Sequence, residues 1–347
     1  MKMKAAVLEE LNKIVVKDVE LPQVDNESIL IKVKTCAVCG SDIRIFHSGN
    51  PRVKPPQIIG HEAAGEIVEI GKNVRGFKKG DRIAIGADVP CGKCYYCQNG
   101  MGNNCLINYA IGYQFPGAYA EYMLLNETTV KFGPVHRIPD NVSYEEASLA
   151  EPLACCINGI EISQVKLGDT VVIIGAGPVG CMLSQLAKIS GAKKVIVSQR
   201  SPKRLEIAKK FGADVLIGTA GDEFIKRVLE ETNNEGADVI FTACSSKEAQ
   251  QNSLKIVRHK GRINFFGGLA KNNSEITIDS NIIHYLECRL EGSHGSTPRQ
   301  HKLALDLIST KQINVKDLIS DRFKLFQIKE AFALAESHAG MKVIIEC

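Results

Sequence analysis

The chain lacks any apolar run long enough to cross a bilayer. Its longest runs, such as Val171-Val-Ile-Ile174, have the length of a buried strand. It also lacks a dominant charge. Lys and Arg number 43 against 39 Asp and Glu, a net charge of +4. No arginine-rich block or basic face is present, so neither nucleic acid nor a membrane is an expected partner. Repeats at solenoid periods are absent. The N-terminal Met1-Lys-Met-Lys-Ala-Ala-Val passes directly into strand-like alternation, with no targeting segment, and a cytoplasmic location is the expectation. What remains is an ordinary globular composition, 44% apolar and 24% charged. At 347 residues there is room for two domains, each with its own core.

Cysteine, in contrast, is plentiful, at twelve residues. Four of them, Cys91, Cys94, Cys97 and Cys105, follow the spacing C-x2-C-x2-C-x7-C. Four thiolates this close suit one tetrahedral zinc ion with no open position, which shapes a loop and performs no chemistry. A pair of disulfides is the rival reading. The length of the chain and the scatter of the other cysteines through apolar segments fit a reducing compartment and favour the metal. Besides Cys39, which belongs to a motif taken up below, Cys36, Cys155, Cys156, Cys181, Cys244, Cys288 and Cys347 remain, and buried packing is the default for Cys181 and Cys244.

The first 150 or so residues are β-rich. Short apolar strands such as Ile29–Val33, Ala64–Ile70 and Arg82–Ile85 are separated by Gly, Pro, Asn and Asp. Lys79-Gly80-Asp81 marks a tight turn. From about residue 155 strands alternate with helices. Thr170–Gly175, Lys194–Ser198, Val215–Ile217, Asp238–Thr242 and Arg262–Phe266 are the strand candidates. One intervening helix carries Val179, Met182, Leu183 and Leu186 at i, i+3, i+4, i+7. The next starts at Ser201 as N-cap with Pro202 first in the helix, and ends at Gly212. This alternation predicts an α/β fold with a doubly wound parallel sheet. A helix at His301–Ser309 and a strand at Lys342–Ile345 are expected to return to the first domain. The expected boundaries are 1–155, 156–290 and 291–347.

Gly175-Ala-Gly177-Pro178-Val179-Gly180 follows a strand and opens a helix. In that setting the first glycine makes the turn, the second lets backbone approach a pyrophosphate, and the third packs helix on sheet. Dinucleotide binding is therefore expected, against a purely structural glycine turn. The second strand ends in Ser198-Gln199-Arg200-Ser201, with Arg204 close behind. An NAD-preferring fold has Asp or Glu where Gln199 stands. A guanidinium there suits the 2′-phosphate of NADP. NADP is the expected cofactor and NAD the alternative, in which Arg200 and Arg204 are merely solvated.

Two short motifs in the first part look like metal ligands: Cys36-Ala-Val-Cys39-Gly-Ser41-Asp42 and Gly60-His61-Glu62. Glu151, in Leu-Ala-Glu-Pro-Leu, is a third candidate. A Cys, a His and a carboxylate can hold zinc and leave one place for water or substrate. Taken in order, Cys39–Asp42, Gly60–Glu62, the four-cysteine lobe, Glu151–Leu153 and Gly175–Gly180 resemble the zinc-dependent medium-chain dehydrogenase/reductase superfamily. Within it, the sorbitol or polyol dehydrogenase branch is nearest. The resemblance covers essentially the whole chain. It implies a GroES-like catalytic domain and an inserted Rossmann domain. It implies a catalytic zinc on Cys39 and His61, with Glu62 and Glu151 as carboxylate ligands, one through water. With the cysteine lobe, that makes two zinc ions per chain. Ser41 would pass on the substrate's hydroxyl proton, unless it is only a turn hydroxyl. A homodimer or homotetramer acting on a small-molecule alcohol or ketone is implied too. Cys155 is a rival to Glu151 as ligand.

Two departures from the family pattern matter. Many relatives complete the proton relay with a His five residues after the ligand cysteine; here that residue is Arg44, and His47 is out of register. Proton exit is then left to Glu62, Glu151 or water. Free-polyol dehydrogenases carry an Arg-Tyr pair where this chain has Gly295 and Ser296. Ser296 and Thr297 before Pro298 form either a helix N-cap or, with His294 and Arg299, a small anion site suited to a phosphorylated sugar alcohol. The expected function is NADP-dependent hydride transfer to or from a secondary hydroxyl of a polyol, sugar or sugar phosphate. A threonine-type or simple secondary-alcohol dehydrogenase is the alternative. A nucleotide-binding protein without catalysis is the reading from another class.

Overall fold

A computed structural model describes residues 1–347, the side chain of Asn272 excepted. The chain forms two compact units: Met1–Ala154 together with Gly295–Cys347, and Cys155–His294.

The first unit is built on a mixed sheet. Its strands lie in the order Val135–Arg137, Arg82–Ile85, Glu62–Ile70, Ile29–Ala37, Lys342–Glu346, Ile319–Lys324, and Tyr122–Leu125 also pairs with Ile29–Ala37. The strand beginning at Ile29 runs past Val33, because Thr35, Cys36 and Ala37 pair with Ala64, Ala63 and Glu62. This register matters for the site. It lays the residues just before Cys39 beside those just after His61. Lys342–Glu346 pairs antiparallel with the same strand from the other side, with Ile345 opposite Cys36. A second, three-stranded sheet holds Lys13–Glu20, Lys2–Glu10 and Gln57–Ile58. The core between these elements is aliphatic, with Ile29, Ile31, Val33, Ile59, Ile67, Ile83 and Ile345 fully or almost fully buried. Tyr119 is the largest side chain enclosed in it.

The second unit is a six-stranded parallel sheet. Counted along this segment, its strands stand in the order 3-2-1-4-5-6, the order of a dinucleotide-binding sheet. Thr170–Ile174 is central and Pro178–Ile189 follows it, with Pro178 opening the helix. Ser201 stands at the N-cap position of Pro202–Lys209 without a side-chain capping bond, and Gly212 turns the chain out at φ +91°. The fifth strand starts at Val257, earlier than apolar content suggests, because a register shift opposite Ala237–Val239 and a left-handed Lys260 absorb the polar Arg258-His-Lys stretch. Among the described residues no helix is long and apolar enough to cross a membrane.

Candidate active site

Cys39 is the N-cap of the helix Gly40–Ser48, and its backbone N–H donates to Asp42 Oδ2 at 3.0 Å. Glu62 opens the neighbouring strand Glu62–Ile70, and His61 immediately precedes it. One ligand atom each from Cys39, His61 and Glu62 lies within 4.8 Å of the others, and both His61 and Glu62 are buried. That donor set of one thiolate, one imidazole and one carboxylate fits zinc with a place left open.

The surroundings orient each of these side chains. His61 Nδ1 lies 3.4 Å from Asp42 Oδ1, leaving Nε2 facing Ser41 Oγ, also at 3.4 Å. Asp42 is fully buried, and Tyr119 donates its hydroxyl to Oδ2 at 2.7 Å. Burial pushes the Asp42 carboxyl up, but His61, Tyr119 and the Cys39 N–H outweigh it and hold the group below the usual carboxylate range. Asp42 thus touches both the cysteine and the histidine of the cluster, a role sequence reading missed although Asp42 belongs to the Cys39–Asp42 motif. Glu62 is fully buried against Lys342 Nζ, 2.7 Å from Oε1. Glu151 lies outside this tight cluster yet is close enough to feel His61 and Glu62. Burial raises its carboxyl to about 7. Ser41 Oγ thus points at the cluster rather than only at its own turn. Arg44 is exposed, and His47 is engaged by Asn12 and Glu336, so neither stands in for a relay histidine.

Cys91, Cys94, Cys97 and Cys105 form a second cluster, with all four sulfurs within 4.8 Å of one another. Individual separations are 3.4 Å for Cys94–Cys97, 3.9 Å for Cys91–Cys97 and 4.0 Å for Cys94–Cys105. A tetrahedron with Zn–S bonds of about 2.3 Å has sulfurs about 3.8 Å apart, whereas a disulfide needs about 2.05 Å. Among the described residues none of the twelve cysteines is in a disulfide. Backbone N–H groups of Leu106 and Cys97 point at the Cys94 sulfur and lower its pKa to about 6. Burial pushes the Cys105 thiol up, but the backbone N–H groups of Asn108, Cys91 and Ile107 outweigh it and lower its pKa. Cys97 goes the other way: burial and the neighbouring Cys94 sulfur push its thiol up to about 12, so only Cys94 and Cys105 are favoured as thiolates before a metal arrives.

In the second unit Gly175 adopts φ +115°, and a Cβ there would lie 2.7 Å from the Ala243 carbonyl oxygen. A Cβ on Gly177 would meet nothing closer than Arg204 Nη1 at 3.8 Å. The turn is therefore closed behind Gly175 and open at Gly177, as a pyrophosphate cradle requires. Pro178, Val179 and Gly180 start the helix beyond it. Gln199 follows directly on the strand Lys194–Ser198, and Arg200 and Ser201 come next. Arg204, one turn into the helix, is the residue that reaches back to the glycine turn.

The anion site sought at the helix Pro298–Ser309 is not free. Thr297 caps it, accepting from the Gln300 N–H, while Gln300 accepts from the Thr297 N–H. Asp88 Oδ2 already accepts from the Ser296 N–H at 2.9 Å. The protein's own carboxylate thus fills the place proposed for a phosphate. Cys181 is buried as expected, while Cys244 is only half-buried.

Residues 25–140 match the alcohol dehydrogenase GroES-like domain family, and residues 178–310 match the zinc-binding dehydrogenase family. D-arabitol-phosphate dehydrogenase of Enterococcus avium is 34% identical, over 95% of this chain and 92% of its own. Sorbitol dehydrogenase of Bacillus subtilis (strain 168) is 32% identical, over 99% and 97%. L-threonine 3-dehydrogenase of Pyrococcus horikoshii is also 32% identical, over 94% and 93%. Among solved structures, a zinc-binding dehydrogenase of Sinorhizobium meliloti 1021 bound to NADP superposes with a TM-score of 0.91 at 30% identity, covering all of both chains. The fold and these matches define a zinc-dependent alcohol dehydrogenase of the GroES-like plus Rossmann type. The chain belongs to the medium-chain dehydrogenase/reductase family, in its polyol dehydrogenase branch.

Proposed function

We propose that the protein is an NADP(H)-dependent dehydrogenase for a secondary hydroxyl of a polyol, sugar or sugar phosphate. The observation that carries this reading is the convergence of Cys39, His61 and Glu62 in one buried cluster, with Ser41 at its edge. Cys39, His61 and one glutamate would hold the catalytic zinc, with Glu62 placed to ligate directly and Glu151 nearby. When bound, zinc supplies a Lewis acid for the substrate's oxygen, and the nicotinamide supplies the hydride acceptor. Asp42 keeps His61 in the tautomer that offers Nε2. Ser41 takes the hydroxyl proton. Cys91, Cys94, Cys97 and Cys105 would hold a second, closed zinc.

Gln199 in place of an acid, followed by Arg200 and with Arg204 beside the glycine turn, supports NADP. The NADP bound by the Sinorhizobium relative agrees. Nearness to an arabitol-phosphate dehydrogenase supports a polyol phosphate, although Asp88 removes the helix-start anion site from the argument. We also propose a cytoplasmic homodimer or homotetramer, by analogy with the family.

The deciding experiment follows absorbance at 340 nm with NADP and with NAD against polyols, polyol phosphates, threonine and 2-alkanols. Reduction of NADP by a polyol or its phosphate, at least tenfold better than with threonine, is expected. A preference for threonine would overturn the substrate class. Metal analysis should return two zinc ions per chain, and one after Cys94→Ser.

A further inference from the structure

We infer that the second unit carries an anion site of its own, for a small oxyanion with two or more phosphate groups, at the end of its sheet away from the glycine turn. The inference is independent of which alcohol the enzyme oxidises.

The site is built by a bulge. Ala237 pairs with Val257 and Val239 with Arg262, so Arg258, His259 and Lys260 are extra residues that loop out of the fifth strand. Asp238 stands level with Thr170, where the central strand begins, because Val239 pairs with Val171. Gly175 follows the other end of that strand. The residues Thr170–Ile174, at about 3.3 Å each, put the two places roughly 16 Å apart. A cavity of about 290 Å³ opens among the bulge, Lys166, Arg262 and Arg289. It lies at the small end of ligand cavities, so its occupant is small.

The wall offers donors and few spare acceptors. Asp238 Oδ1 is taken by Arg258 Nη1 at 2.7 Å, and Oδ2 by the Thr170 N–H at 2.8 Å. The Gln164 carbonyl accepts from Arg262 Nη1 at 2.9 Å, and its Oε1 from Arg289 Nη2 at 3.3 Å. Arg262 is also buried against Asp169 at 2.8 Å, and Glu291 takes Arg289 Nε at 3.3 Å. Lys260 pairs with Glu287, but both are largely exposed, and such a pair contributes little and opens readily. The Lys166 ammonium and the His259 ring make no hydrogen bond or ion pair among the described residues. These five cations exceed the four carboxylates by one, and the excess charge is that of Lys166. Drawing Lys260 from Glu287 adds a second cation. A ligand here must therefore accept hydrogen bonds and carry negative charge. A planar carboxylate is satisfied by one guanidinium fork. Donors on Lys166, the bulge and the sixth strand suit a tetrahedral phosphate better, and two phosphates can use them all.

The backbone supports this reading. Gln164, Lys260 and Glu287, all on this wall, have φ of +50°, +60° and +48°. Glycine would adopt that conformation without strain. The chain instead keeps three long polar side chains there, and strain of this kind gathers at ligand clamps.

The test is calorimetric titration of inorganic pyrophosphate, and separately of citrate, into the whole protein carrying Gly177→Asp. Gly177 has φ −77°, and its Cβ would meet nothing closer than 3.8 Å, so there is room for a carboxylate that denies the glycine turn to phosphate. One pyrophosphate per chain is expected to bind, about tenfold tighter than citrate. Lys166→Ala with Lys260→Ala should weaken it about tenfold or more, a loss that stripping of metal by pyrophosphate would not produce. Glu287→Gln removes the competing carboxylate and should tighten binding about three- to tenfold, a gain no misfolded variant gives. Citrate bound more tightly than pyrophosphate would overturn the phosphate assignment. Absence of binding, or an affinity unmoved by the lysine pair or by Glu287→Gln, would overturn the site.

Discussion

Lys342 Nζ is 2.7 Å from Oε1 and 2.5 Å from Oε2 of Glu62, with both side chains buried. The same ammonium donates to the Val38 carbonyl at 3.2 Å. Burial opposes the charge on Lys342, but Glu62 and Cys39 outweigh it and raise its pKa. A buried pair is weak evidence of net stability, yet breaking one side is costly, because a charge is left without a partner. In metal-free protein Lys342→Met should lower the unfolding free energy by about 3–5 kcal/mol. Adding Glu62→Gln should return more than half of that. Urea unfolding of the four proteins in this cycle checks it, and strictly additive losses would show that the pair is not coupled.

Tyr119 should matter to metal retention without touching metal. Its hydroxyl fixes Asp42, which contacts both Cys39 and His61. Tyr119→Phe keeps the ring and removes one hydrogen bond to a charged acceptor, a loss of about 1.5–3 kcal/mol. Loss of an outer partner weakens metal binding by roughly 10–100-fold. Competition with a chromophoric chelator measures this, and zinc affinity equal to the parent's would refute it.

His136 and His301 stack with Nδ1 atoms 2.9 Å apart, and burial lowers their pKa values to about 4 and about 3. Both lie below the ordinary 6.5, so as pH falls the unfolded chain takes up protons first. The pair's contribution is complete above pH 6.5 and is lost progressively toward pH 4, by up to about 1.4 kcal/mol per pH unit for each histidine. Glu151, raised to about 7, acts in the opposite sense over part of this window, so the measurement belongs in a zinc-loaded Glu151→Gln background. Unfolding at pH 7 and pH 5 should differ accordingly. Imidazole NMR titration should show both rings neutral at pH 5.

Gln199→Asp places a carboxylate at the end of the strand Lys194–Ser198. Such a group accepts from a ribose hydroxyl and repels a 2′-phosphate. With Arg200→Ala in addition, the ratio of kcat/KM for NADP over NAD should fall at least tenfold. An unchanged ratio would move the cofactor determinant to Arg204 beside Gly177.

The second unit was readable because its signals are local. A strand of Val and Ile, a glycine turn, Pro178 and an apolar i, i+3, i+4 row each act within a few residues, and their sum is the parallel sheet. The residues that cluster as possible metal donors stood out because their types are chemically rare together. What was not readable is what supports them. Tyr119 meets Asp42 across 77 residues of chain, and Lys342 meets Glu62 across 280. In sequence Lys342 is one polar residue opening an apolar strand, and nothing nearby tells that it points inward. The Ser296–Thr297 ambiguity was decided by Asp88, 208 residues from Ser296. The capping partner Gln300, by contrast, stood three residues after Thr297 and could have been read as a capping box.

The strand Lys342–Glu346 has one further consequence, in the order of synthesis. It joins the sheet beside Ile29–Ala37, so the unit holding Cys39 and His61 is interrupted by residues Cys155–His294 and completed only after them. The nucleotide-binding unit is continuous and is whole once His294 leaves the ribosome. Domains generally fold as units in the order they emerge. The unit translated first is therefore finished last, and Glu62 waits for its ammonium until Lys342 arrives.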